Sequence, residues 1–213
     1  MISLSIGSCN PENRVFPNDR ETPAARIVER TTTAISPWVN LEAVSAILPG
    51  STQPSVYHAI GQADYVQVLC LHENGSVVLV RQYRPVVDSW TLEFPGGLRD
   101  GDEPAAETAR REVEEETGLV VLETVGLLDC FADVGRMTNR LHGFAALVRG
   151  PFRQTEPGVE ALFVNGPDLR QLAVTGQLAI PSNLGLLYLA SGHLELLAIC
   201  DRYGIGRPPW MML

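Results

Sequence analysis

The stretch from Gly97 to Leu119, GLRDGDEPAAETARREVEEETGL, constrains this chain more than any other because it concentrates six glutamates in one short segment. The six are Glu103, Glu107, Glu112, Glu114, Glu115 and Glu116. An α-helix advances about 100° per residue, so Glu112, Glu115 and Glu116 would fall within an arc of about 100° on one face. Carboxylates that converge in this way repel one another unless a cation compensates their charge. Ligands of oxygen alone suit a hard divalent metal, Mg2+ or Mn2+, better than zinc.

The same stretch carries glycines, glutamates and one Arg-Glu pair at fixed spacings. The fixed positions are Gly97, Glu103, Arg111, Glu112, Glu115, Glu116 and Gly118, with Val113 and Leu119 at two aliphatic positions. This pattern resembles the signature of the Nudix hydrolases, and no fixed position departs from it. The resemblance implies an α/β fold, an α/β/α sandwich with a mixed central sheet. It also implies hydrolysis of compounds in which a nucleoside diphosphate is linked to another group.

The resemblance assigns roles to several residues of the stretch. Glu112, Glu115 and Glu116 would bind the metal and act in catalysis, and the carbonyl of Gly96 would be a further metal ligand. Arg111, four residues before Glu115, is expected to orient the carboxylates rather than to contact the substrate. Structural support is expected from Gly97, Glu103 and Gly118.

A competing interpretation treats the glutamates as a solvated helix face. Such faces are commonly crossed by ion pairs between residues four apart, and Glu107 with Arg111 and Arg110 with Glu114 have that spacing. The complete spacing of the pattern favours the metal site over this alternative.

Composition excludes several classes of partner. The net charge of −9 and the pI near 4.9 argue against a nucleic-acid-binding surface. All 16 basic residues are arginine, so any phosphate would be bound by arginine, whose planar group can bind it bidentately. No apolar run reaches the ~18 residues that predict a membrane span. Four cysteines far apart in the sequence, and no convincing signal peptide, favour a reducing cytoplasm.

We expect residues 1–60 to form an N-terminal arm and a small β region, and residues 61–213 to form the catalytic domain. Residues 1–35 show no clear periodicity and predict an extended or partly ordered arm, whereas residues 35–48 alternate as a strand does. In the ADP-ribose pyrophosphatase branch, which this region resembles, an N-terminal sheet exchanges across a homodimer and supplies aromatic groups to the partner's adenine site. The resemblance therefore implies a homodimer in which Trp38 and Tyr57 would bind substrate, with packing at the interface as the competing use of Trp38.

Two apolar strands, residues 64–72 and 77–84, are separated by an Asn-Gly turn and predict a hairpin. The second strand ends in RQYR, which resembles the segment before the signature in nucleoside-diphosphate-sugar hydrolases, so Arg84 is a candidate contact of the substrate phosphates. The strand at residues 90–94 leads into the glycine turn. Its Glu93 would share the substrate site or pair with an arginine.

The acidic helix has predictable ends and a predictable buried face. Asp102 or Glu103 is expected to cap its N-terminus. An apolar stripe that includes Ala109 and Val113 would pack it onto the sheet. Gly118 would end it in the left-handed conformation.

Downstream, residues 120–129 and 143–148 predict strands, and residues 167–176 and 183–191 predict helices, the second of them buried. The Pro/Gly loop at residues 151–160 carries two glutamates, Glu156 and Glu160. The resemblance places the general base, or a further metal-linked carboxylate, in this region without choosing between them. The apolar tail at residues 204–213 is expected to dock on the body or on a partner subunit.

Several substrates and one non-catalytic role fit these observations. The favoured function is cleavage of ADP-ribose or another sugar nucleotide to a nucleoside monophosphate and a sugar phosphate. Val134 and Asn139 stand where the ADP-ribose hydrolases have proline and an acidic residue, which leaves the identity of the sugar nucleotide open. GDP-mannose, dinucleoside polyphosphates and oxidised nucleoside triphosphates are alternative substrates, and a nucleotide-sugar sensor without turnover is the alternative of another class.

Overall fold

The computed structural model describes residues 25–153 and 156–206. The first part of the predicted arm, residues 1–24, and the last part of the predicted apolar tail, residues 207–213, lie outside the described ranges, as do residues 154–155. Contacts divide the chain into two units. Among the described residues, one contains residues 25–62 and 133–138, and the other contains residues 63–132, 139–153 and 156–206. The functional division predicted between residues 60 and 61 stays a prediction.

The N-terminal unit is a three-stranded antiparallel sheet in the order β1–β2–β3. Its strands are β1 (Arg26–Ala34), β2 (Asn40–Ile47) and β3 (Ser55–Gly61). The part of the predicted arm at residues 26–34 is ordered, because it forms the strand β1, which pairs with β2 with one register shift between Ile27 and Glu29. All nine of its residues are exposed, so no alternation of buried and exposed positions was available to reveal it.

A correction applies to the strand predicted from residue 35. That strand, β2, begins at Asn40, and the backbone bends before it, where the Ile35 N–H donates to the Val39 carbonyl at 2.9 Å. Trp38 therefore lies in a bend and not in a strand.

The second unit has a six-stranded mixed sheet and four helices. Its strands are β4 (Tyr65–His72), β5 (Val77–Arg84), β6 (Ser89–Glu93), β7 (Val120–Phe131), β8 (Arg140–Arg149) and β9 (Val159–Val164). Its helices are α1 (Ala105–Thr117), α2 (Gly166–Val174), α3 (Pro181–Ser191) and α4 (Leu194–Arg202). The order is β6–β5–β4–β8–β7, with β9 also paired to β5; β4 and β8 are parallel and the other pairs are antiparallel.

Helices cover both faces of this sheet, as the predicted α/β/α sandwich requires. On one face, Val66, Val68 and Val78 form a buried cluster with Ala109 and Val113 of α1. This contact confirms the predicted fold and fixes which side of α1 is turned toward the sheet. Strands covered on both faces are apolar at nearly every position, which explains the continuous apolar runs of β4 and β5.

The opposite face of the sheet packs against the other three helices. Leu69 and Leu79 of the sheet belong to one buried cluster with Leu169 of α2, Leu186 of α3 and Leu196 of α4. Each fully buried leucine contributes about 1.5–3 kcal/mol to folding. The sequence did not predict α4.

α3 differs from the buried helix that was predicted. Leu186 and Ala190 are buried, but Tyr188 on the other side is 74% exposed. Within the described ranges, no single helix is long and apolar enough to cross a membrane; α3 and α4 reach that length and composition only together, and they are bent by 69° at the break between them.

Candidate active site

The turn between β6 and α1 brings the backbone close to two glutamates. A Cβ atom added to Gly96 would lie 2.2 Å from the Val66 carbonyl oxygen, so no other residue fits there. The Gly96 N–H donates to Glu116 Oε2 at 2.9 Å. A Cβ atom at Gly97 would lie 2.3 Å from Glu112 Oε2. The two glycines thus let the turn sit directly against the side chains of α1.

The ends of α1 follow the prediction at one end only. Gly118 is left-handed (φ 68°), and its N–H donates to the Glu114 carbonyl at 2.9 Å. At the other end the predicted cap is wrong, because Pro104 occupies the N-cap position and makes no side-chain cap bond. The Glu103 carboxylate instead accepts a hydrogen bond from Thr108 Oγ1 at 2.9 Å.

Arg111 connects the glutamates of the signature. Its Nη1 donates to Glu112 Oε1 at 2.7 Å and to Glu115 Oε2 at 3.1 Å. Its Nη2 donates to Glu103 Oε2 at 3.2 Å and to the Leu98 carbonyl at 3.3 Å. The hydrogen bonds from Arg111 lower the pKa of Glu103. One guanidinium therefore holds three carboxylates, which is the geometry expected of a residue that orients ligands.

The solvated-face alternative describes an exposed groove along α1, which the signature residues Glu103, Arg111 and Glu115 also line. Glu107 and Glu114 are exposed and line an open groove with Arg110, and the Arg110–Glu114 pair has its charged atoms 4.0 Å apart. Arg111 pairs with Glu115 and not with Glu107 in the described contacts. Exposed glutamates therefore form part of α1, and the metal site stays a prediction.

Burial sets Glu116 apart from the other glutamates. It is 6% exposed, and burial, reinforced by the negative charges of Glu112 and Glu156, raises the pKa of Glu116 to about 8. Burial also raises the pKa of Glu112, although Arg111 opposes this shift. A buried carboxylate with other carboxylates as neighbours is costly to ionise until a cation approaches.

The donor atoms fit a hard divalent cation, because they are all oxygens and Glu116 has no ion pair in the described part of the chain. Within the described ranges, no three acidic, histidine or cysteine side chains are already gathered around one metal position, and Arg111 engages two of the three predicted ligands. The assignment of Glu112, Glu115, Glu116 and the Gly96 carbonyl as metal ligands stays a prediction.

Arg84 and Glu93 form a bidentate ion pair beside these glutamates. Arg84 Nε donates to Glu93 Oε1 at 2.9 Å, and Arg84 Nη2 donates to Glu93 Oε2 at 2.7 Å. Burial would raise the pKa of Glu93, but the hydrogen bonds from Arg84 and from Thr91 lower it. Of the two roles that the sequence left open for Glu93, the structure shows the pairing with arginine. The Thr91 contact was not predicted; its only sequence signal is that Thr91 and Glu93 are two apart on one strand.

The two candidate bases lie in different places. Glu160 is opposite Arg81 in the β9–β5 register and pairs with its Nη1 at 3.0 Å. It shares a face with Leu162, which packs on the α2–α4 side of the sheet, away from α1. Glu156 is exposed, and its charge raises the pKa of both Glu112 and Glu116. Glu156 therefore acts electrostatically on two signature glutamates, whereas Glu160 pairs with Arg81 on the other face of the sheet, and the general base stays a prediction.

Trp38 and Tyr57 belong to the N-terminal unit. They are 70% and 46% exposed, and Tyr57 is opposite Val44 in the β3–β2 register. Their predicted contact with substrate stays a prediction.

Comparison with known proteins gives a family match and several relatives. The model of the NUDIX domain matches residues 62–177. A CMP-5'-(N-acetyl-N-hydroxy-3-aminopropyl)phosphonate hydrolase of Streptomyces rubellomurinus is 30% identical over 125 residues, covering 57% of this chain and 60% of that protein. The ADP-ribose pyrophosphatase of Bacillus subtilis is 33% identical over 82 residues (38% and 44% of the two chains). A GDP-mannose pyrophosphatase of Klebsiella pneumoniae is 34% identical over 126 residues (56% and 58%).

These matches span 60% or less of the length of each of the three curated relatives. A solved structure, described as an ADP compounds hydrolase, superimposes with a TM-score of 0.69 at 18% identity and covers 87% of this chain and 98% of that one. At this low identity the likeness shows a shared fold.

Proposed function

Because the chain belongs to the NUDIX domain family, we propose that it is a metal-dependent pyrophosphohydrolase that cleaves the diphosphate of a nucleoside-diphosphate-linked substrate. The products would be a nucleoside monophosphate and the phosphorylated remainder. The observation that carries the proposal is the buried Glu116, held against the glycine turn by the Gly96 N–H, with Glu112 and Glu156 as charged neighbours. A purely structural helix face has no need for a buried carboxylate of this kind.

Glu112, Glu115, Glu116 and the Gly96 carbonyl would hold Mg2+ or Mn2+, which when bound would neutralise the phosphate oxygens and acidify the attacking water. Arg111 keeps Glu112 and Glu115 in fixed orientations through its Nη1. Glu156 would accept the proton of the water and Arg84 would bind the diphosphate; in support, the charge of Glu156 acts on Glu116, and both charges act on Arg84.

ADP-ribose and other sugar nucleotides are the favoured substrates. The named relatives include an ADP-ribose pyrophosphatase and a GDP-mannose pyrophosphatase, and both names describe cleavage of a nucleoside diphosphate linked to a sugar. A sensor without turnover is disfavoured because all three signature glutamates are present.

We further propose that the protein is a homodimer that works in the cytoplasm. The N-terminal unit carries large apolar side chains that are exposed in the single chain, among them Ile27 and Val28 of β1 and Trp38 of the bend that follows it. A second copy would cover them, and light scattering coupled to size exclusion would show a mass near twice that of the chain. The cytoplasmic assignment rests on the cysteines, of which Cys70, Cys130 and Cys200 are unpaired.

The function is tested by a screen of ADP-ribose, GDP-mannose, UDP-glucose, NADH and diadenosine polyphosphates with Mg2+ or Mn2+, scored by release of monophosphate. Glu115→Gln and Glu116→Gln should each lower turnover by more than about 100-fold, because losing a residue that only supports a metal ligand already costs about 10–100-fold. Glu107→Gln, an exposed glutamate of the same helix, is the matched control and should keep wild-type turnover. Full activity of the Glu115/Glu116 double variant would refute the proposal.

A further inference from the structure

Three side chains on neighbouring strands form one hydrogen-bonded line that ends at the candidate active site. Thr91 and Glu93 lie two residues apart on β6, and Arg84 is the last residue of β5. Thr91 Oγ1 donates to Glu93 Oε1 at 2.6 Å. Glu93 in turn accepts both hydrogen bonds of the bidentate pair with Arg84. The order of the contacts is therefore Thr91 to Glu93 to Arg84.

The ion pair with Glu93 leaves one edge of the Arg84 guanidinium available to bind an anion. A guanidinium has five N–H donors, and Glu93 takes one from Nε and one from Nη2. The remaining donors belong to Nη1 and to the second hydrogen of Nη2, which together form another edge that can bind an anion bidentately. Glu93 is three residues before Gly96, whose N–H donates to Glu116 Oε2 at 2.9 Å, and the charges of Glu116 and Glu156 raise the pKa of Arg84. A diphosphate held near those glutamates would meet the available edge.

Thr91 limits how the Glu93 carboxylate can rotate. Glu93 is 3% exposed, so water cannot replace a missing donor freely. Its Oε1 receives two donors, the Thr91 hydroxyl and Arg84 Nε, whereas its Oε2 receives Arg84 Nη2. The other acceptor near the Thr91 hydroxyl, the Gln82 carbonyl, is farther away at 3.2 Å. Without the hydroxyl, the plane of the carboxylate and hence the plane of the guanidinium would be set by one ion pair alone.

We propose that Thr91 is a positioning residue for substrate binding, which acts through Glu93 to fix the edge of Arg84 that receives the diphosphate. The inference rests on the proposed function, because it takes the anion at Arg84 to be the diphosphate of the substrate. It changes the role expected of Glu93, which holds Arg84 and does not itself contact the substrate. The site is therefore assembled on β6 as well as on α1.

The test measures KM and kcat for ADP-ribose or GDP-mannose, whichever the wild type cleaves faster, and the Kd of α,β-methylene-ADP in Mg2+. Thr91→Val removes the hydroxyl and keeps the shape. A hydrogen bond to a charged group changes an equilibrium constant by about tenfold or more. Only part of that loss is transmitted from Glu93 to Arg84. We expect KM and Kd to rise together by about 3–10-fold while kcat changes less than about twofold. Thr91→Ser restores the hydroxyl and should restore both constants.

Thr124→Val is the matched control, since Thr124 is a partly buried strand threonine on β7. It should leave KM and Kd unchanged. Wild-type KM and Kd in Thr91→Val, or a loss that Thr91→Ser does not repair, would overturn the positioning role while the proposed function stands. If Thr91→Val does not fold, Thr91→Ala and Thr91→Ser decide by the same criterion. A wild type that cleaves none of the screened substrates would refute the proposed function and this inference together.

Discussion

Gly97→Ala is the substitution that tests the active-site geometry most directly. Gly97 lies between β6 and α1, and a Cβ atom there would be 2.3 Å from Glu112 Oε2, 2.4 Å from Cδ and 2.6 Å from Oε1. An ordinary contact is 3.4 Å or more, so the carboxylate must move back by about 1 Å. That movement breaks the 2.7 Å hydrogen bond from Arg111 to Glu112. A displacement of about 1 Å at a catalytic group costs about 100-fold in rate.

Stability should change little in Gly97→Ala. The clash involves the far end of a flexible side chain, and an off-rotamer glutamate costs about 0.5–1.5 kcal/mol. Gly101→Ala is the control with the opposite signature. Gly101 has a left-handed backbone (φ 51°) and nothing within 4 Å of an added Cβ, so alanine there should cost about 1–2 kcal/mol of stability and no activity.

Two measurements separate the variants: monophosphate release as a function of Mg2+ concentration, and urea unfolding followed by circular dichroism. Gly97→Ala should lose about 100-fold in kcat/KM and shift the Mg2+ requirement upward, with a nearly unchanged unfolding midpoint. The reasoning is refuted if this variant keeps the wild-type kcat/KM and the wild-type Mg2+ titration. Equal activity losses in the two alanine variants would also refute it.

Three further predictions concern Glu156, Glu116 and Gly118. Glu156→Gln should lower kcat by about 10²–10⁴-fold, which is the usual contribution of a general base. Glu160→Gln should leave kcat unchanged, and steady-state kinetics checks both variants. In EDTA, the unfolding free energy of the wild type should fall by up to about 3 kcal/mol as the pH rises from 4.5 to 7. The pKa of Glu116 is about 8 in the folded protein, above its ordinary value, so the unfolded chain loses this proton at a lower pH than the folded chain does. Urea titrations at several pH values check this, and Glu116→Gln should remove the slope. Gly118→Ala should cost more than about 2 kcal/mol in urea unfolding, because left-handed strain adds to a Cβ contact of 2.6 Å with a neighbouring loop, whereas Gly176→Ala, also left-handed but open, should cost only about 1–2 kcal/mol.

The acidic helix could be predicted because its determinants are local. Ala109 and Val113 are four residues apart, so they share the face that is buried, and Gly118 ends the helix as its backbone freedom allows. The N-terminal cap was wrong for a reason outside the local pattern. The Glu103 side chain turns to Thr108 and to Arg111, which satisfy it better than the backbone N–H groups of the first turn.

The choice between Glu156 and Glu160 depends on strand register, which the sequence does not specify. In β9, successive side chains alternate between faces, and the pairing of Glu160 with Arg81 sends Glu160 to the side away from α1. A shift of one residue would exchange the two faces. The pairing of Arg84 with Glu93 is similar, because it joins two strands whose alignment follows from the sheet and not from either strand alone.

The distribution of charge at the site determines what it can bind first. Arg84 is neutralised by Glu93, and the single positive charge of Arg111 is shared among several carboxylates. In the described part of the chain, Glu156 makes no ion pair with an arginine and three carboxylates share Arg111, so the site is negative even while Glu116, whose pKa is about 8, keeps its proton near neutral pH. A diphosphate approaching it is repelled until that charge is compensated. We therefore expect affinity for α,β-methylene-ADP to require Mg2+ in the wild type, and the requirement to relax in Glu156→Gln, in which Arg84 would meet the anion without that unpaired carboxylate.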